Sequence, residues 1–384
     1  MHQHISHSHY SKDPRHKKIQ QLIWMIAIFL IGGLFWYASG IKSAEDQVQD
    51  PFGPTTYQNA IVTRAIDLPS DVQYTTGVRQ DIAVRLDDGT EVDIGIQETS
   101  APDVLAEGDK VIVSLTNRID GSVLYGLVDE NRSLALLIVV AIFLAVLLVF
   151  AGIYGVTALL GLVFSIAVVG GFIVPQILNG ANPMLISAIG AFAIALLSIY
   201  LSHGFSIRSS IALVGTLITI SLSIGLAYMF VFITGLTGGG SEAAFYLNPT
   251  GAADGFNLQG LLLGGIIIGT LGVLDDITTS QAAIVEELHL ANKGLALKEL
   301  YQRGFSVGRE HIIALVNTLA LAYIGASLPL MILFVTDSRP LWIILNGQFV
   351  AEEVVRTLVG STTLILAVPI TTYLAARYFA YRKG

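Results

Sequence analysis

The chain has 384 residues, 53% of them apolar and only 13% charged, and its mean hydropathy is +0.68. One water-soluble core cannot hide that much hydrocarbon, so the sequence reads as an integral membrane protein. Cysteine is absent, which excludes disulfide staples, thiolate metal sites and thiol catalysis, and the net charge of −8 is concentrated in residues 42–132, where 17 Asp and Glu face 7 Lys and Arg; that balance argues against nucleic acid as a partner.

In chain order, residues 1–18 are a polar tail carrying His2, His4, His7 and His9, a tract that either collects metal or simply solvates the N-terminus. Residues 19–41 hold an apolar run over 22–39, preceded by Lys12, Arg15, Lys17 and Lys18 and followed by KSAE. That layout fits a signal peptide or an uncleaved anchor. Its apolar segment exceeds the usual signal core of about 7 to 15 residues, which favours the anchor.

From Tyr57 to residue 132 the pattern turns β-like. NAIVTRAI, RQDIAVRLDDGTEVDIGIQE, LAEGDKVIVSL and GSVLYGLVDE alternate, and Asp88 and Gly89 mark a hairpin. About five short strands predict a small all-β barrel of the OB or SH3-like kind. Residues 133–384 then supply seven more apolar runs, near 134–151, 156–178, 184–201, 211–233, 258–273 or beyond, 312–335 and 358–380, each able to cross about 30 Å of hydrocarbon. The predicted fold is an α-helical polytopic membrane protein of about eight spans with an extracytoplasmic β module over residues 42–132.

Basic residues orient it: Lys293, Lys298, Arg303 and Arg309 fill the sixth loop, and Arg377, Arg382 and Lys383 close the chain. The excess of Lys and Arg puts both termini in the cytoplasm of a bacterial cell membrane and residues 42–132 outside. GGLFWYASG and LTGGGSEAAF lack the lysine and the context of a phosphate-cradling loop. There is no HExxH and no nucleophile constellation. The reading is of a non-enzyme without a cofactor.

The main chemical feature is the pair Asp275 and Asp276, directly after LQGLLLGGIIIGTLGVL. In one placement the sixth helix stops near Leu274 and the acids cap a new helix at the membrane surface. In the other the helix runs on, because Ile277, Ala282, Ala283, Ile284, Val285 and Leu288 continue its apolar pattern. At 1.5 Å per residue Asp275 is then about 25 Å from the outer edge, still in hydrocarbon. A central charge costs about 2.5 to 3.5 kcal/mol there, so the acids must face protein or water, or hold a proton or cation. Asp275, Thr279 and Glu286, and likewise Asp276, Ser280 and Glu287, form a polar stripe. Gly260, Gly264, Gly265, Gly269 and Gly272 allow close helix approach. The proton or cation site read from this pattern comprises Asp275, Asp276, Ser280, Gln281 and Asn317, the last a polar amide on the seventh helix that wants a partner. Glu286, Arg309, Glu310 and His311 are its cytoplasmic-side companions, with Arg309 and His311 also fitting an interfacial anchor. Glu352 and Arg356, at i and i+4 beside Glu353, are either a helix-surface pair or an outer gate. No metal is assigned.

GTLGVLDDITTSQAAIVEELH, SVGREHIIALVNTLALAYIGASLPL and VAEEVVRTLVGSTTLILAVPITTYLAA occur in order, and together they resemble the YibE/F family of bacterial multi-pass membrane proteins. The single anchor, β module and helical body are similar to that family's layout over nearly the whole chain. The resemblance implies a permease of undefined substrate. The LDD, the turn at Arg303 and Gly304 and a helix ending in LPL are also similar to the proton-relay half of RND-type transporters and of SecD and SecF proteins. That likeness implies a proton-translocating role for Asp275 and Asp276, although the acids here lie on the fifth helix after the outer domain rather than the third, and no lysine lies within a span. The expected function is a proton-coupled or cation-handling permease in the lipid bilayer, its oligomeric state open. The other reading is a non-transporting membrane factor whose β module binds an envelope protein or assists secretion.

Overall fold

A computed structural model of the chain describes residues 55–68, 77–100, 104–118, 121–240, 244, 257–336 and 339–381. The histidine-containing tail and the first expected span lie outside the described residues. Two compact units divide it, one over Lys42–Gly152 and one taking in Ile153–Gly384.

In the first unit, five strands, β1 (Thr55–Leu68), β2 (Gly77–Leu86), β3 (Glu91–Ser100), β4 (Lys110–Asn117) and β5 (Val123–Glu130), form one sheet in the order β3-β2-β1-β4-β5 with every pairing antiparallel. Strand β1 is long because it serves two partners: Thr55 to Ile61 pair with β4 and Ala60 to Leu68 with β2, with a bulge between Val62 and Arg64. A bulge bends a strand and adds twist, and the sheet curls until β3 and β5 touch. Alternating side chains of Ala60, Val62, Ile82, Val84, Leu86, Val111 and Val113 fill the concave core with Leu105. The β2–β3 hairpin turns where DDGT predicts it, with Gly89 at φ 86° and the Thr90 backbone N–H donating to Asp88 Oδ1 at 2.8 Å. That hydrogen bond holds the Asp88 carboxyl below the usual carboxylate range. Arg132, donating to Asp129 at 2.6 Å, does the same for Asp129.

Seven helices among the described residues are long and apolar enough to cross a membrane. A helical run, α1 (Ser133–Val168), breaks at Gly152 (φ 56°) into spans Ser133–Gly152 and Gly155–Leu178, the latter continuing through a π-helical turn, Val169–Ile173, into α2 (Val174–Leu178). Then follow α3 (Pro183–His203), α4 (Ile207–Thr234), α5 (Leu258–Ala291), α6 (Leu297–Ala326), α7 (Leu328–Thr336), α8 (Leu341–Leu345) and α9 (Gln348–Tyr381). Helix α5 does not stop near Leu274; it is one helix of 34 residues, so the placement in which the acids cap a new helix is excluded. The expected span 312–335 begins instead at Leu297 and is interrupted at Ser327. Pro329, in the first turn of α7, has no N–H to donate to the carbonyl of Gly325 four residues back and its ring crowds that carbonyl, so a continuous helix is broken just before it. Helix α9 likewise starts ten residues before the apolar run at 358, since its first turns are polar but still helical.

Helix α5 is central and touches α3, α4, α6 and α9. It runs parallel to α3 in constant register: Gly260 meets Pro183, Gly264 meets Ser187, and Asp275 meets Ser198, always 77 residues apart. A Cβ at Gly264 would lie 2.4 Å from Ser187 Oγ, so glycine there is what lets the two helices approach. Helix α6 is antiparallel to α5, with Gly304 against Val285 and Gly308 against Gln281. Gly265 and Gly272 lie on the open side of α5 with nothing within 4 Å.

Candidate functional site

Threonines recur along α5, and most bond their own helix: Thr270, Thr278 and Thr279 donate to the carbonyls of Ile266, Leu274 and Asp275, four residues back. A carboxylate has no such local outlet, because it can only accept. Asp275 is half-buried. Its Oδ2 accepts a hydrogen bond from Ser198 Oγ of α3 at 3.0 Å, and its Oδ1 is buried with no hydrogen-bond partner among the described residues. Gly161 of α1 covers the serine side, where a Cβ would lie 3.0 Å from Ser202 Oγ and 3.4 Å from Ser198 Oγ.

The register with α3 sets the depth. Helix α3 has 21 residues, about 31 Å at 1.5 Å per residue, which matches a hydrocarbon core of about 30 Å. Ser198 is five residues before its end at His203, so Asp275 sits about 7 to 8 Å inside that end. His203 is within electrostatic reach of both acids and of Arg208. Arg208, in the first turn of α4, pairs with Glu286 at 3.6 Å.

The two acids face different surroundings. Successive helix positions are about 100° apart, and Asp276 is exposed while Asp275 turns toward α3. Ser280 is half-buried. Gln281 is fully buried, and its Nε2 donates to Gly304 O at 2.8 Å and to Thr372 Oγ1 of α9 at 2.7 Å, so this amide clamps α5 to α6 and α9. Asn317 comes within about a turn of the level of Asp275, as antiparallel packing requires. Its side chain is nevertheless exposed, and no hydrogen bond joins it to either acid among the described residues. Arg309 and Glu310 are exposed and His311 is half-buried, likewise with no bond to the pair among the described residues.

At the other end of the bundle, Glu352 and Arg356 do not pair. Glu352, 2% exposed, accepts from the Gly240 backbone N–H at 2.9 Å and from Gln348 Nε2 at 3.2 Å, while Arg356 pairs with Glu353 at 3.1 Å. Gln348 also donates to Thr237 Oγ1. A buried carboxylate takes a fixed backbone donor in preference to a flexible guanidinium, and here it fastens the segment after α4 to the start of α9. Glu352 precedes Thr372 by 20 residues on one helix, about 30 Å, so the two polar clusters occupy opposite ends.

The sequence reading missed Ser198, Gly161, His203 and Arg208. The signal was present in SIYLSH, where Ser198, Ser202 and His203 are polar groups in an apolar span, the same criterion that singled out Asn317. Among the described residues no group of three His, Cys, Asp or Glu is arranged to hold a metal ion. Among the described residues of α5, Oδ1 of Asp275 and Oε1 of Gln281 are both buried acceptors without a hydrogen-bond partner; of the two only Asp275 is ionisable, and a buried carboxylate oxygen calls for a proton, a small cation or a further donor.

The family described as YibE/F-like protein matches residues 139–381, a stretch that contains both polar clusters and leaves out the sheet. No curated protein and no solved structure matches the chain.

Proposed function

The chain belongs to the YibE/F-like family, and on that premise we propose that it is a permease of the bacterial cell membrane in which Asp275 binds a proton or small cation during transport. One observation carries this reading: a carboxylate inside a bundle of apolar helices whose side chain has, among the described residues, a single hydrogen bond, from Ser198, and a buried oxygen without a partner. Exchange at such a group changes the charge on a central helix, and that change is what couples an ion to movement of the helices beside it. Ser198 orients the acid, and His203 and the Arg208–Glu286 pair stand between it and the face where α3 ends. Asp276, Ser280 and Asn317 are the polar groups near the same level, through which the site communicates with its surroundings. Gln281 holds α5, α6 and α9 as one body. Glu352, fastened to Gly240, with Glu353 and Arg356, closes the opposite end. The basic residues Lys293, Lys298, Arg303 and Arg309 support a cytoplasmic α3-end face, on the same side as both termini. The curled sheet lies outside and completes a small barrel where β3 meets β5. The experiment is a flux survey in oriented proteoliposomes across protons, metal ions and small anions, comparing wild type with Asp275→Asn combined with Asp276→Asn. Wild type moves one of these and the double variant does not; a double variant as active as wild type sinks the proposal.

A second reading is supported by the sheet, whose Tyr57, Ile61, Ile66, Leu124 and Val128 are exposed apolar side chains. Such a surface suits docking of an envelope protein. Capture of one defined partner by the full-length protein, together with an absence of flux in the vesicles, favours this reading over transport.

A further inference from the structure

At the end of the bundle where α9 finishes, a hollow of about 940 Å³ is lined by Leu297 of α6 and by Tyr373, Leu374, Arg377, Tyr378 and Tyr381 of α9. Among the described residues no carboxylate lines it. Arg377 makes no ion pair, and neither it nor the three tyrosine hydroxyls has a hydrogen-bond partner among the described residues. The lining therefore presents a cation and several N–H and O–H donors, with Leu374 on their membrane side and Leu297 farther out, and its chemical complement is an anion attached to an apolar body.

The packing register gives the depth of this hollow independently of its composition. Thr372 is bonded to Gln281, and by the 77-residue offset Gln281 stands level with Gly204, the residue that terminates α3. Arg377 lies five residues further along α9, about 7 to 8 Å beyond that level. A headgroup layer occupies about 5 to 8 Å outside the hydrocarbon on each side. Tyr373 is only one residue past the same level, at the boundary where amphipathic rings settle, and Tyr301 of α6 braces it edge-on at a centroid distance of 6.5 Å. Arg382 and Lys383 follow directly in the sequence, adding to the basic character of the same end.

We infer that Arg377, with the hydroxyls of Tyr373 and Tyr378 beside it, binds the phosphate of an anionic phospholipid, with Leu374 on the membrane side meeting the first carbons of its acyl chains. The site does not depend on the transport reading, since it lies on the far side of Gln281 from Asp275 and uses none of the same side chains. A free phosphate shares the recognised group, so lipid and soluble anion must be compared directly. The test measures the melting temperature and the bound mass of the full-length protein in detergent with added phosphatidylglycerol, phosphatidylcholine or inorganic phosphate. The expected result is tight binding and a raised melting temperature with phosphatidylglycerol, weaker binding of phosphatidylcholine and no effect of phosphate alone. Arg377→Gln weakens the phosphatidylglycerol effect at least about five-fold, the contribution of one basic contact at an anionic surface. Arg377→Lys and Tyr378→Phe, which keep the charge or the ring and guard against misfolding, fall between the two. Equal binding of phosphatidylglycerol to wild type and Arg377→Gln overturns the inference, as does equal binding of the two lipids. Phosphate binding as tightly as the lipid overturns the lipid assignment.

Discussion

Removing one hydroxyl, Ser198→Ala, deletes the only side-chain donor to Asp275 among the described residues. The Ser198 Oγ to Asp275 Oδ2 distance is 3.0 Å and Oδ1 already lacks a partner, so the variant leaves a carboxylate in the bundle interior with no hydrogen bond to either oxygen. A hydrogen bond to a charged group is worth about 1.5 to 3 kcal/mol, which at about 1.4 kcal/mol per factor of ten is roughly a 10- to 100-fold change in the equilibrium between the loaded and empty site. The fold itself loses less, about 1 kcal/mol, because Ser198 is small and Gly161 can settle against the alanine. The assay is ion flux by the variant in proteoliposomes, paired with its melting temperature in detergent. A drop of ten-fold or more in flux at nearly unchanged melting temperature is expected. Wild-type flux from Ser198→Ala refutes the claim that this hydrogen bond sets the site, and an equal loss of flux and fold would reduce Ser198 to a packing residue.

Other consequences follow from individual contacts. Gly264→Ala puts a methyl 2.4 Å from Ser187 Oγ and should lower stability by about 1 to 3 kcal/mol through overpacking; combining it with Ser187→Gly should recover most of that in a thermal melt, and no recovery would contradict the α3–α5 register. Glu352→Ala leaves the Gly240 N–H without its acceptor and should cost about 1 to 3 kcal/mol, whereas Glu352→Gln keeps an acceptor oxygen and should cost less in the same measurement. The Asp88 and Asp129 carboxyls are held below their ordinary value, so the stability they contribute is present above the unfolded aspartate value of about 3.9 and is lost as pH falls through the folded one. Circular dichroism of the sheet should therefore stay flat from pH 8 to 5 and weaken only below about 4; a loss near pH 6 would contradict the assignment.

What the sequence revealed divides along the range of the interactions. Spans 134–151, 156–178, 184–201 and 211–233 were legible because length and composition alone decide whether a helix can sit in hydrocarbon, and the Asp88–Gly89 hairpin was legible because turn geometry is set by the residues that make it. The ends of α6 and α9 were not: LKELYQRGF and QFVAEEVV are helical but amphipathic, and hydropathy registers where a helix enters lipid, not where it begins. The apolar spacing after Asp276 did carry the continuation of α5 to Ala291. Partners were the least legible. Asp275 was found from its charge in an apolar run, but its donor stands 77 residues away on a helix that runs parallel, and nothing local announces that. Glu352 illustrates the converse, since i,i+4 spacing pointed to Arg356 while the buried carboxylate went to the Gly240 backbone, 112 residues distant.

Because Asp275 is turned inward to Ser198 and Asp276 is exposed, the two acids should not be equivalent, and the most direct test of the central claim measures each alone. Oriented proteoliposomes of Asp275→Asn and Asp276→Asn are compared with wild type for the ion that the flux survey identifies. Asp275→Asn should abolish flux while Asp276→Asn retains a substantial part of it. Wild-type flux in Asp275→Asn, or loss confined to Asp276→Asn, would contradict the placement of the ion at Asp275.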